Sequence, residues 1–273
     1  MKMEKICFRS LLVLMILILI PLPGIGSSAQ DTLWNQTDAQ GRKQGHWKKY
    51  HPGGELRYRG FFVDDRPWGK MQRFYEDGKL QADLFYSENG ETAQALLYFR
   101  NGKLGAVGKY SGQNRDSIWC YYSYYTGTLS YRESYVQGRK EGPSEKFYPE
   151  GPRAELLYWE NDMRHGRWEQ FYEDSTLRLS AAYVMDQLNG PYRIFLRDGT
   201  VVLEGTYILG KKDGDWNYYD NEGNLKHRLI YLNGEIQNEK ELEQWAKEYM
   251  DEIEENLGTI PEPDLENFFD RTP

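Results

Sequence analysis

Apolar and polar positions recur along this chain with a period of 24 residues, through eight copies and with a single step of 25. One column is aromatic in every copy: Tyr50, Phe74, Tyr98, Tyr122, Phe147, Phe171, Phe195 and Tyr219. A second is equally regular: Phe62, Tyr86, Tyr110, Tyr135, Trp159, Tyr183, Tyr207 and Tyr231. Between them falls a turn column of Gly54, Gly78, Gly102, Gly127, Gly151, Ser175, Gly199 and Gly223. A fixed period of this length marks a repeat architecture. Asp77-Gly78 and Asp198-Gly199 are tight-hairpin dipeptides. A second turn carries residues that tolerate left-handed geometry, among them Asp65, Asn89, Gly138, Asp186, Gly210 and Gly234. Each repeat is therefore two short strands and two turns.

Strands of about 5–7 residues leave no room for a crossover helix, so neighbours pair antiparallel. The expected fold is an all-β repeat: an elongated, twisted antiparallel meander of about eight 24-residue β-hairpins over residues 41–237, with a C-terminal capping α-helix. About sixteen strands at ~4.8 Å apart would extend ~75 Å. After the last turn, Asn238 precedes Glu241 by three residues, a helix-start pattern. Leu242, Trp245, Tyr249, Ile253 and Leu257 then recur at helical spacing, which predicts an amphipathic helix over 238–257 above the last sheet edge. Residues 258–273 read as a tail, and residues 30–40, with Trp34, as a lead-in that lids the first repeat.

The first 29 residues read as an export signal. Lys2, Lys5 and Arg9 precede an unbroken apolar run from Leu11 to Ile20, and Ser27-Ser28-Ala29 supplies small residues before an expected cut that leaves Gln30 first. Of the two cysteines only Cys120 then remains, so no intramolecular disulfide is expected. Export without disulfides suits a bacterial periplasm, cell surface or secreted location. The formal charge is −8 and is concentrated at the C-terminus, where twelve acidic and three basic residues follow from Glu239 onward. The near-neutral repeat body carries no electrostatic footprint for nucleic acid.

The strings Tyr207-x-x-Gly210-x-x-x-Gly214-x-Trp216 and Tyr135-x-x-Gly138-x-x-x-Gly142 resemble the MORN repeat. Together with Tyr-Tyr-Asp-x-x-Gly downstream, they are similar to the variant form found in bacterial MORN-repeat proteins, many of them described as antitoxins of toxin–antitoxin systems. The resemblance covers residues 41 to about 236. It implies a sheet of hairpins that serves as scaffold or binding surface, with membrane attachment and protein assembly among the roles of eukaryotic relatives. The chain departs from the pattern at Ala93 and Ser117, where the motif has Gly, and at Met71, Ala95 and Ser144, where it has Trp.

Little in the sequence points to catalysis, a metal or a cofactor. His46, His51, His165 and His227 form no His-x-His or i,i+4 pair, and Cys120 has no cysteine partner for zinc. Gly205 to Lys212 imitates a phosphate-binding loop, but bulky Tyr207 and Ile208 lie inside it and Lys212 replaces the magnesium-holding Ser/Thr. Asp213-Gly-Asp215-Trp-Asn217 begins like a calcium loop without its later Gly and Glu. The remaining candidates are aromatic. Trp47, Trp119, Trp168, Tyr192 and Trp216 share a column three residues from the first aromatic column, so the two point to opposite faces. If exposed, this ladder is a binding surface for sugars, peptide or a lipid interface. The expected function is that of an exported, non-enzymatic scaffold or binding module for a protein or surface polymer. The alternative is an antitoxin or immunity-type protein that blocks a toxin.

Overall fold

The computed structural model describes residues 33–256, so the expected export signal and C-terminal tail lie outside the described residues. The chain divides into two units at Ser175/Thr176. In the first, β1 (Gln36–Thr37) pairs with β2 (Lys43–Tyr50). An antiparallel meander follows through β3 (Leu56–Val63), β4 (Arg66–Phe74), β5 (Leu80–Tyr86), β6 (Thr92–Tyr98), β7 (Leu104–Ser111), β8 (Asn114–Tyr122), β9 (Leu129–Val136), β10 (Arg139–Phe147), β11 (Arg153–Glu160) and β12 (Met163–Phe171). The second unit continues the pattern with β13 (Leu177–Val184), β14 (Gln187–Leu188), β15 (Gly190–Phe195), β16 (Val201–Ile208), β17 (Lys211–Tyr219), β18 (Leu225–Leu232) and β19 (Glu235–Ile236), followed by α1 (Glu239–Asn256). The all-β hairpin repeat with a C-terminal helix is thus the observed fold.

Two turn types alternate. The glycine column closes one of them: the Tyr75 N–H donates to the Lys79 carbonyl at 2.9 Å, the Gly78 N–H to the Tyr75 carbonyl at 3.0 Å, and Gly78 sits at φ +78°. The other is a two-residue turn with both residues left-handed, as at Asp64 (φ 49°) and Asp65 (φ 66°), the geometry that matches strand twist. These turns also tie repeat to repeat. The Asp65 carboxylate accepts from the Lys43 N–H at 2.8 Å, and Asp162 does the same for Lys140 at 2.7 Å.

Strand alternation separates the two aromatic columns as expected. One face of the first unit carries the core cluster of Phe62, Met71, Ala82, Leu84, Ala95, Ala106, Trp119 and Tyr135. The opposite face carries the row Gln72, Asp83, Leu96, Val107, Cys120, Arg132, Glu145. There Glu145 is buried between Arg132 (2.9 Å) and Arg153 (2.7 Å), whose guanidiniums lie over Phe147 and Phe171.

Both terminal edges are closed by an asparagine. At the first, the Asn35 N–H donates to the His46 carbonyl (2.8 Å) while its side-chain oxygen accepts from the Lys48 N–H (2.9 Å). At the last, the Asn238 amide accepts from the Ile230 N–H (2.8 Å) and donates to the Arg228 carbonyl (2.7 Å), as a paired strand residue would. The helix covers a face next to this edge: Trp245 packs on Tyr218 and stacks on His227, with ring centroids 4.5 and 5.3 Å apart. His227 is buried, and its two ring nitrogens face Glu241 (3.4 Å) and Glu248 (3.3 Å).

Candidate functional site

The aromatic column proposed from sequence splits on inspection of its backbone. Most hairpins closed by the two-residue turn contain a bulge. Between paired positions Arg59/Gln72 and Phe61/Trp68, the single residue Gly60 stands against Gly69, Lys70 and Met71. Gly108 opposes Ser117 to Trp119, and Gly205 opposes Gly214 to Trp216, in the same manner. The first bulge residue is left-handed each time: Gly69 (φ 63°), Ser117 (φ 60°), Gly214 (φ 68°). The Trp at its third position lies down over the opposing glycine. A Cβ on Gly108 would meet the Trp119 ring at 2.1 Å, and one on Gly205 the Trp216 ring at 2.3 Å. Each indole N–H then donates to a strand carbonyl: Trp119 to Lys109 (3.0 Å), Trp216 to Thr206 (3.2 Å) and Trp47 to Gln36 (3.1 Å).

Trp119 and Trp216 are each only 1% exposed, so this part of the proposed surface ladder must be corrected: they are wedges inside the sheet. Trp47 is half-buried. Trp168 stands opposite Leu157 instead of a glycine, and its N–H reaches the Glu155 carboxylate at 3.3 Å. Tyr192 is half-buried against Tyr207 and Trp216. The physical reason is the glycine eleven residues earlier, which removes the side chain that would have held the ring upright.

The third hairpin, β5–β6, is built otherwise. Its register runs without a break from Ala82/Leu97 to Tyr86/Ala93. Ala93, in the glycine position, is not left-handed, and the residues other copies place in the bulge go into a longer turn closed by Ser87 and Thr92. The Trp position is Ala95, opposite Leu84. No indole stands here or at the neighbouring Met71; Ala95 is buried all the same, while Met71 and the flanking Ala82, Leu84 and Leu97 line a trough across the sheet. Two cavities of 740 and 520 Å³ share Arg73, Gln81 and Tyr86. Tyr75, Tyr98 and Tyr110 line the first, Lys43, Lys49 and Arg57 the second. No Asp or Glu lines either. Lys43, Lys49, Arg57 and Arg73 form no ion pair among the described residues, whereas most other cations of this unit do, Lys70 with Asp83 and Lys140 with Glu133 among them. A separate groove of 910 Å³ follows the two-residue turns and carries Glu91 and Glu141.

Burial holds the Tyr98 and Tyr110 phenols above their ordinary range, so both remain hydrogen-bond donors. Sequence reasoning missed the trough, although the signal was present as two successive lapses of the Trp column beside unpaired basic residues.

The remaining motifs are absorbed by the fold. In the phosphate-loop look-alike, Gly210 is a hairpin turn and Lys212 lies over the rings of Trp216 (4.2 Å) and Tyr231 (4.9 Å), its pKa lowered by burial. In the calcium-loop look-alike, Asp213 accepts from the Asn233 N–H (3.2 Å) and Asp215 pairs with Arg228 (3.4 Å). Among the described residues no group of three or more His, Cys, Asp or Glu could hold a metal ion. Cys120 is buried in β8. No helix among the described residues is long and apolar enough to cross a membrane.

Residues 43–64 and 69–88 match the family described as MORN repeat variant. These two adjacent segments are MORN repeats of the variant form. No curated protein matches the chain. The two matched MORN repeats supply every residue lining the 520 Å³ part of the trough except Pro67, which lies between them. MORN repeats are in general binding modules for proteins or membrane lipids, which is consistent with a repeat scaffold.

Proposed function

We propose that this protein is exported and acts without catalysis, binding a surface polymer in the trough over its first repeats. The observation that carries this is the acid-free, tyrosine-rich lining where the Trp column lapses. A concave strip of half-buried rings with a few polar groups is what ligand sites share. The lining offers no acid–base pair: its one imidazole, His51, is held at Nε2 by the Phe74 carbonyl at 3.0 Å.

Gln81 is exposed and lines both parts of the trough, so Gln81→Trp would plug it with little disturbance to the core. Wild-type protein should co-sediment with an envelope polysaccharide fraction, Arg139→Gln on the turn groove should do the same, and Gln81→Trp should not. Equal capture by all three would place the contact elsewhere. Export is tested by the intact mass of protein recovered outside the cytosol, which should begin at Gln30.

A further inference from the structure

We propose that the trough takes a strand of anionic sugars, a carboxylate-bearing polysaccharide held by its charges and hydroxyls. This rests on the trough being the binding site.

Charge is the first ground. The chain carries −8 overall, yet four cations with no ion-pair partner among the described residues converge where no carboxylate lines the wall. Such a field attracts an anion and strengthens as it is desolvated. Register is the second. Lys49 stands opposite Tyr58, and Tyr58 opposite Arg73, on three adjacent strands. Two strand spacings separate the cations by ~10 Å, with a phenol between them. An alternation of charge and hydroxyl partner suits a polymer with charges at intervals.

Shape and ring orientation decide between anionic polymers. The trough crosses strands β2 to β7 and ends at the turn carrying Gly112 and Gln113. Its concavity cannot lie against a flat bilayer. Tyr110 is held edge-on by Trp119, with centroids 4.8 Å apart and planes at 68°, and its neighbours are half-buried. Base stacking needs open ring faces. The Tyr75 hydroxyl donates to the Tyr98 carbonyl at 2.7 Å, but those of Tyr86, Tyr98 and Tyr110 make no hydrogen bond among the described residues, and with the amides of Gln81 and Gln113 they match a ligand rich in hydroxyl groups.

The test is calorimetric titration of the full chain with four probes: oligogalacturonate, its methyl ester, a thymidine oligonucleotide and vesicles containing phosphatidylglycerol. Oligogalacturonate should bind, weaken with added salt, and lose about tenfold or more in affinity on esterification. Arg57→Gln and Arg73→Gln should weaken it about two- to fivefold each, as exposed charge pairs do. Lys49→Gln, on the neighbouring strand, gives an independent check should either arginine variant melt early. Arg139→Gln should change nothing. Equal affinity for acid and ester, or binding of the oligonucleotide or vesicles in place of the sugar, overturns the anionic-sugar assignment and leaves the trough a binding site. Failure to bind any probe, combined with capture of envelope polymer by Gln81→Trp, overturns both.

Discussion

The third and fourth hairpins of the first unit have the same length and opposite construction. The fourth, β7–β8, has Ser117 left-handed at a bulge and Trp119 lying over Gly108. The third, β5–β6, runs straight from Ala82 to Tyr86 and pairs Leu84 with Ala95. A bulky residue faces a small one both times, with the sizes exchanged. The fourth fills its face with an indole; the third buries Leu84 against Ala95 in the same core cluster, and its Ala82, Leu84, Tyr86 and Leu97 also line the 740 Å³ cavity. The same period thus accommodates two packings set by two positions eleven residues apart.

The comparison is open to direct attack. Trp119→Ala should be the most damaging, costing about 3–5 kcal/mol in urea unfolding because it empties a buried site. Gly108→Ala forces a methyl into a ring 2.1 Å away and should cost about 1–3 kcal/mol by overpacking. The bulge glycines come next. Gly69→Ala places an L-residue at φ 63° with nothing nearby to clash, so its cost is purely conformational, about 1–2 kcal/mol. Ala93→Gly, at the matching position of the straight hairpin, should lose only about 0.5–1 kcal/mol, since no left-handed residue is needed there. Equal effects at Gly69 and Ala93 would erase the distinction between the two hairpins.

The smallest effect concerns acid. Burial alone would raise the Glu133 carboxyl, but hydrogen bonds from Lys140 and Tyr135 outweigh it and hold the group below its ordinary 4.5. Glu155 is likewise lowered, with Lys146, Gln170 and Trp168 outweighing its burial. A depressed carboxylate contributes stability that is complete above its unfolded value and drains away as pH falls through the folded one. Urea midpoints should therefore hold steady down to about pH 5 and fall below about 4.5. Glu133→Gln should lower the midpoint at neutral pH and flatten the acid limb. An unchanged limb in this variant would show that Glu133 does not shape it.

Period, strand number per repeat, turn positions and the opposite facing of the two aromatic columns were all legible, because glycine and aromatic positions report backbone geometry directly. The exposed ladder of Trp47, Trp119, Trp168, Tyr192 and Trp216 was not borne out for Trp119 and Trp216, because burial of an indole depends on the partner strand: glycine at 108 and 205, leucine at 157. The straight hairpin was hidden because residues moved from bulge to turn leave the spacing intact. The helix was anticipated as a lid on the final edge, yet Asn238 and β19 close that edge while Trp245 docks on the face.

The most direct test of the size exchange is a double-mutant cycle that rebuilds the fourth hairpin on the plan of the third. Gly108→Leu, Trp119→Ala and the double variant are compared by urea unfolding. If the two positions share one volume, leucine partly refills the space the indole leaves, and the double variant is more stable than the sum of the singles by about 1 kcal/mol or more. Strict additivity would contradict it, and would mean that the indole and the opposing glycine are unrelated features of the same sheet.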